Sequence, residues 1–247
     1  MKKFIFVFLL IAMPASADEL YSLYAAGKYD EAMRAGAAAN NAQGLAIAAR
    51  AALADAAMQG KPCLSCLKRA ETFARQAVAS DSKYPDGHVW LAASLGLEGR
   101  ITGLLRASRS GSEAKSELDI ALKDDPRNAY ALAATGGWNI EIVKVGGDFL
   151  ARTIFGAREE TGISFFDRAV AAAPVNVAVR YQIALSLSGY KPDAFRARIT
   201  EELQAAIRDT PQTEYEKFIQ GRAAQLLALS KKPEFAAKVR EFQGYPD

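Results

Sequence analysis

The plainest copy of a repeated unit in this chain is found in residues 112–138, which read SEAKSELDIALKDDPRNAYALAATGGW. Small and apolar residues recur there at helical spacing, first up to an Asp-Asp-Pro stop and then again as far as Trp138. Proline ends a helix because it lacks an N–H group and fixes φ, and it suits the start of the next helix. The stretch therefore predicts two helices joined by a short turn at Pro126.

The same spacing recurs along the chain. In the central unit Leu118 precedes Ala121 by three residues, and Pro126 follows Ala121 by five. Two further triplets keep these intervals: Phe166, Ala169 and Pro174, and then Leu203, Ala206 and Pro211. Weaker copies lie around Ala77 and Ala39. Because one helical hairpin cannot bury its apolar face alone, repeated hairpins are expected to stack into a solenoid.

Small residues follow each proline by ten positions, at Gly136, Ala184 and Gly221, and Gly96 is the equivalent in the preceding unit. We expect close helix approaches at these positions, because Ala or Gly leaves room for a facing side chain.

Two interruptions are also predicted. A polar link is expected at residues 108–111, and residues 146–148, which read GGD, are expected to break a helix. After that break, residues 149–155 are predicted to form a short inserted helix within a longer insertion at residues 145–162.

This pattern resembles the tetratricopeptide repeat (TPR) family over nearly all of the chain after residue 17. Residues 27–32, which read GKYDEA, are similar to the turn between the two helices of that family's repeat. The repeated alanines are 37 to 48 residues apart, against about 34 in a standard unit. The helix that reads GGWNIEI after the Asp-Pro turn also resembles divergent bacterial repeat proteins of the regulator-of-microtubule-dynamics type. The resemblance implies an all-α fold, a right-handed superhelical solenoid of about five irregular TPR-like helical hairpins.

The first 17 residues have the features of a bacterial secretory signal peptide. Lys2 and Lys3 form a basic start, residues 4–12 are apolar, and residues 15–17 read ASA. We expect cleavage after Ala17, which leaves residues 18–247 as one TPR-like repeat domain in the periplasm or outside the cell. An uncleaved anchor is the alternative, but a run of nine apolar residues is too short to span a bilayer. No later apolar run reaches about 18 residues, so no membrane span is expected in the mature chain.

Composition argues against several functions. The formal net charge is +3 and falls to +1 without Lys2 and Lys3, which gives no case for a nucleic-acid partner. The chain has a single histidine, His88, and no recognisable nucleophile–base set, so we predict no catalytic residue, no cofactor and no enzymatic activity.

The two cysteines, Cys63 and Cys66, have the spacing of a CxxC motif. A redox pair would require a strand before the motif, and haem c attachment would require histidine where Leu67 stands. Zinc would need two more ligands, and we predict no metal site. The alternatives are a local disulfide at the start of a helix, a redox-active pair and unpaired thiols, and we favour the disulfide because the compartment is expected to be oxidising.

In the TPR family the first helix of each unit usually lines the concave surface, where ligands bind. Taking one stripe of each such helix, at offsets that repeat near 3.6 residues, gives an aromatic residue in every stripe and an arginine in two. The candidate partner-binding residues are Trp90, Arg100, Tyr130, Tyr181, Tyr215, Phe218 and Arg222. Aromatic and arginine residues are frequent energetic anchors of interfaces, and such a groove suits an extended or helical peptide. The alternative is that the same rings pack between units or under the insertion.

These observations predict a non-enzymatic periplasmic or exported scaffold that binds an envelope protein or peptide on its concave face. The runner-up is a small-molecule-binding accessory subunit of an envelope transport system, which an enclosed pocket would favour. A third possibility, an oligomerisation module, predicts a symmetric apolar patch.

Overall fold

The structure is a computed structural model that describes residues 16–60, 63–102 and 104–245. Residues 1–15, which carry most of the expected signal peptide, lie outside the described residues. The described part of the chain contains twelve α-helices, one short π-helix and no strand. The predicted all-α class is therefore confirmed.

The helices follow one another with short connections. In chain order they are α1 (Ala17–Ala25), α2 (Tyr29–Ala39), α3 (Ala42–Met58), α4 (Leu64–Ser80), α5 (Pro85–Thr102), α6 (Leu104–Asp124), α7 (Ala129–Leu150), the π-helix (Ala151–Phe155), α8 (Glu159–Ala172), α9 (Val177–Ser188), α10 (Arg196–Arg208), α11 (Glu214–Leu229) and α12 (Phe235–Phe242).

The helices stack as a helical repeat solenoid with an inner layer. Each odd-numbered helix from α3 to α11 packs against the next odd-numbered helix, and each also packs against a neighbouring even-numbered helix. The array closes on itself, because α11 packs back against α3. At that closure Nη2 of Arg222 donates a hydrogen bond to the carbonyl oxygen of Ala57 at 3.2 Å. The inner layer of odd-numbered helices lines what we call the concave face.

Polar caps explain why four of the inner helices begin where they do. The cap side chains are Asn41 before α3, Asn128 before α7, Asn176 before α9 and Thr213 before α11, and each accepts a hydrogen bond from the backbone N–H three residues on. Such a cap satisfies a helix N–H that has no partner inside the helix and stabilises it by about 0.5–2 kcal/mol. The turns of the repeat are therefore encoded by local chemistry as well as by proline.

Small residues permit close helix approaches at some of the expected places. A Cβ atom on Gly36 of α2 would lie 2.4 Å from the backbone of α3, and one on Gly136 of α7 would lie 2.5 Å from the ring of Phe166 in α8. At Gly96 and Gly221, however, a Cβ atom would meet open space. The prediction of a close approach is thus confirmed at Gly136 and wrong at the other two glycines, where the facing helix is not within reach.

The two predicted interruptions have different outcomes. The polar link at residues 108–111 is wrong, because α6 runs through it. A solvated helix face has the same polar composition as a loop, and the indole N–H of Trp138 bonds the carbonyl oxygen of Gly111 at 2.7 Å across the α6–α7 contact. The second break is confirmed, since Gly147 has a φ of +70° and bends the end of α7.

The inserted helix is the π-helix, which Gly156 ends with a φ of +67°. Its first residue, Ala151, is buried with Ala157 against Val143. The larger side chains of the insertion are largely exposed, with exposed fractions of 78% for Phe149 and 66% for Ile154.

Cys63 and Cys66 form a disulfide at the start of α4, with their Cα atoms 5.2 Å apart, as predicted. None of the helices in the described ranges is both long enough and apolar enough to cross a membrane.

Candidate functional site

The inner layer places all seven candidate residues on helices of the concave face. Trp90 and Arg100 belong to α5, Tyr130 to α7, Tyr181 to α9, and Tyr215, Phe218 and Arg222 to α11. Tyr181 is buried and the other six are half-buried. Their burial shows that these side chains contact other groups of the protein, several of which lie outside the predicted set.

The most central of these further groups is Arg50 of α3. Its guanidinium carbon lies 4.5 Å from the ring centroid of Tyr24, 5.1 Å from that of Trp90 and 5.0 Å from that of Tyr130. Its Nη2 also donates a hydrogen bond to the Tyr130 hydroxyl at 2.9 Å. A cation over aromatic faces is attracted by the negative ring faces, more strongly where water is excluded. We call Arg50 with these three rings the arginine cage.

One feature of the sequence could have revealed Arg50. It is one of only two charged residues in α3, which is otherwise rich in alanine, and the other is Asp55. An isolated charge in a helix that is buried for most of its length needs a partner, and here the partners are aromatic rings.

A second cluster forms around Arg222 of α11. Its guanidinium carbon lies 4.5 Å from the ring centroid of Phe218 and 4.6 Å from that of Phe242 in α12. Tyr215 packs within 6.5 Å of Phe218, centroid to centroid, and it also contacts the apolar cluster around Tyr24. The two clusters therefore meet across the closure of the array.

Burial controls the ionisation of the phenols on this face. It raises the pKa of Tyr24, Tyr181 and Tyr215 above the ordinary value of 10.0, and the nearby cations Arg50 and Arg222 oppose this only in part. The phenols are therefore neutral at physiological pH, and the positive charge of the two arginines is not cancelled by them.

The last residue of α12 and the segment that follows it lie across the concave face. Gln243 is buried, its Nε2 donates a hydrogen bond to the carbonyl oxygen of Leu185 in α9 at 3.0 Å, and its backbone carbonyl oxygen accepts one from Nη1 of Arg100 at 3.0 Å. The Tyr245 ring lies 5.8 Å from the Arg100 guanidinium carbon and 4.8 Å from Nζ of Lys144 in α7. With Phe242 on Arg222, residues 242–245 contact α5, α7, α9 and α11. We call these residues the tail segment.

Two cavities lie near these elements. One, of about 90 Å³, lies beside the tail segment and is lined by Leu53, Leu97 and Arg222 among others. The other, of about 360 Å³, lies between the loops that join α9 to α10 and α11 to α12, and its lining includes Arg196 and Lys231. Pockets for small molecules usually measure about 300–1,000 Å³, so only the second has a suitable size.

The single histidine is engaged in packing. His88 is buried, with Nδ1 2.5 Å from the Glu117 carboxylate and Nε2 2.9 Å from the carbonyl oxygen of Ser82. Within the described ranges, no group of three or more His, Cys, Asp and Glu side chains is placed to hold a metal ion. The concave face presents cations, rings and backbone groups, an arrangement suited to recognition of a binding partner.

Comparison with known proteins agrees with this architecture. The model of the family described as regulator of microtubule dynamics protein 1-3 matches residues 13–228. Among solved structures, a thermophilic TPR protein from Thermus thermophilus is similar, with a TM-score of 0.57 and 18% sequence identity over 85% of this chain and 95% of that one. At this identity the likeness shows the TPR-like fold alone. A search of curated proteins found no match.

Proposed function

The chain belongs to the regulator of microtubule dynamics protein 1-3 family, and from this premise we propose that it is a non-enzymatic periplasmic or exported scaffold that binds a protein or peptide on its concave face. The observation that carries the proposal is the convergence of arginine and aromatic side chains from the inner helices on one face. Arg50, Trp90 and Tyr130 form one centre of this convergence, and Phe218 and Arg222 form the other.

The residue types support binding as the role of this face. Trp, Tyr and Arg supply most of the energy in many protein interfaces, because they bury a large area and offer a polar group at low entropic cost. A TPR-like fold is typically that of a non-enzymatic scaffold. The family description refers to the regulation of microtubule dynamics, and from it the proposal takes only a protein as the class of partner.

Two features of the chain support a periplasmic or exported location: its disulfide and the start of its sequence. The disulfide between Cys63 and Cys66 favours an oxidising compartment, since such bonds are rare where thiols are kept reduced. The basic start, apolar run and ASA sequence of the first 17 residues favour export.

Crosslinking in the envelope tests the scaffold. The full chain is crosslinked gently in a periplasmic extract, and companions are identified by mass spectrometry. We expect a near-stoichiometric envelope protein whose yield falls at least tenfold in the Trp90→Ala and Arg222→Ala variants. The matched control is Phe149→Ala, because that ring is exposed on the insertion. Equal capture by all three folded variants would show that the partner binds elsewhere.

A second candidate function is the small-molecule-binding accessory subunit, for which the open surface pocket of about 360 Å³ between the outer loops has a suitable volume. Native mass spectrometry of the chain purified from the periplasm tests it. A bound species that disappears in the Arg196→Ala variant would support this function, and a bare chain would count against it.

A further inference from the structure

We propose that the tail segment, residues 242–245, occupies the binding site of the concave face in place of the partner, and that the partner is a peptide of the same chemistry. That chemistry is an uncharged stretch in which two aromatic side chains flank a glutamine and a glycine. The inference rests on the proposed function, because it names the class of partner for the same face.

The contacts of the tail segment are those that a groove makes with a bound peptide. A main-chain carbonyl oxygen, that of Gln243, accepts a hydrogen bond from an arginine of the groove, and a side-chain amide donates to main chain of the groove. The two rings, Phe242 and Tyr245, lie against the cations Arg222 and Lys144. Main-chain hydrogen bonds supply affinity and side-chain pockets supply specificity in such recognition. Two of the residues predicted to bind a partner, Arg100 and Arg222, thus bind this segment.

The side chain of Gln243 packs into a space that Gly189 leaves open. A Cβ atom added to Gly189 would lie 2.2 Å from Nε2 and 2.6 Å from Oε1 of Gln243, and the close neighbours are all atoms of this one side chain. Gly189 has a φ of −84° and a ψ of −6°, which any residue can adopt. The backbone therefore does not require glycine here, and the absence of a side chain serves the glutamine.

The fit of the tail segment is incomplete. Oε1 of Gln243 is buried and has no hydrogen-bond partner among the described residues. A buried acceptor without a partner is costly, so a segment that satisfies this position binds better than the tail segment does. A partner that forms the missing hydrogen bond at this position can therefore displace the tail segment.

The tether makes this occupant a strong competitor. A segment joined to its site through a short connection acts at an effective concentration on the order of 1 mM. If the tail segment itself has an intrinsic dissociation constant of about 10 μM for the site, a free peptide binds the intact chain about 100-fold more weakly than it binds the open site. The tail segment therefore sets a threshold that weak or unrelated peptides do not pass.

The test uses the full chain and a fluorescein-labelled synthetic peptide with the sequence of residues 238–247, KVREFQGYPD. Fluorescence anisotropy gives its affinity for the wild type and for the Gln243→Ala/Tyr245→Ala double variant. We expect the double variant to bind the peptide at least tenfold more tightly. Adding Gly189→Ala should abolish this binding, whereas adding Gly221→Ala, where a Cβ atom meets open space, should leave it unchanged.

A control peptide and a fallback variant keep the experiment conclusive. A probe peptide with alanine at the Gln and Tyr positions should not bind. If circular dichroism shows that the double variant is unfolded, Tyr245→Ala alone replaces it, because this change removes contacts only at the last described residue.

Equal affinity of the wild type and the tail variant, or no effect of Gly189→Ala, overturns the inference. A companion protein captured through Trp90 while the peptide fails to bind overturns the inference and leaves the proposed function standing. Peptide binding without a captured companion supports the inference and favours a peptide, not a stably associated protein, as the partner of the scaffold.

Discussion

The arginine cage yields a prediction whose sign is decided by competing energies. Arg50→Met keeps a flexible apolar stem and removes the guanidinium from the three rings of the cage, from the more distant Tyr21 ring at 5.8 Å and from the Tyr130 hydroxyl. A hydrogen bond from a charged donor contributes about 1.5–3 kcal/mol, and each well-placed cation–π contact about 0.5–2 kcal/mol. Against this, holding a cation out of water costs several kcal/mol, and the variant avoids that cost. We expect the contacts to win, so that the free energy of unfolding falls by about 2 kcal/mol.

Urea unfolding of the full chain measures this change. Circular dichroism follows the helices, and tryptophan fluorescence follows the two tryptophans, Trp90 and Trp138. Coincident curves show that the array unfolds cooperatively. The matched control is Arg34→Met, because Arg34 is exposed on α2 and its replacement should change stability by less than about 0.5 kcal/mol. If Arg50→Met proves as stable as the wild type or more stable, the contacts of Arg50 in the cage do not stabilise the folded array.

Four further outcomes are expected. Gly136→Ala should lower stability by about 1–3 kcal/mol in the same urea assay, because its Cβ atom would lie 2.5 Å from a facing ring, and Gly221→Ala is the matched control in open space. Glu202→Gln should lower the free energy of unfolding by about 3 kcal/mol, because this fully buried carboxylate accepts hydrogen bonds from two arginines at 2.8 Å and 2.5 Å. Unchanged stability would mean that solvent already screens these ion pairs. Hydrogen bonds from a lysine and a tyrosine lower the pKa of Glu159 below its ordinary 4.5. Glu159→Gln should therefore be less stable than the wild type at pH 7, and this difference should vanish as the pH falls through the folded-state pKa of Glu159. A difference that persists well below that pKa would contradict this. Mass spectrometry of the exported chain should find a protein that begins at Asp18, and a chain that retains residues 1–17 would show an anchor instead.

The candidate site was accessible from the sequence only in part. The stripes selected residues on the odd-numbered inner helices, because helical periodicity fixes which residues share a helix face. They missed Arg50, since α3 belongs to a weak copy of the repeat and gave no stripe. They also missed the tail segment, because a few residues after the last helix carry no periodic signal. The candidate aromatic rings were expected either to line an open groove or to pack between units. Contacts such as that of Trp90 with Tyr130, whose ring centroids lie 5.4 Å apart, are packing contacts.

By itself the sequence determined the helices, their turns and their repeated stacking. The helices and turns depend on interactions within a few residues, such as the Asn128 cap and the stop at Pro126. The stacking depends on small residues such as Gly136, which leaves room for the Phe166 ring of the next helix. Only the tertiary structure decided that the array closes and that its own tail segment lies against the concave face. The hydrogen bonds that do this join residues 165 apart, from Arg222 to Ala57, and 143 apart, from Arg100 to Gln243. Nothing in local spacing specifies such pairs, because they follow from the accumulated curvature of all the hairpins between them.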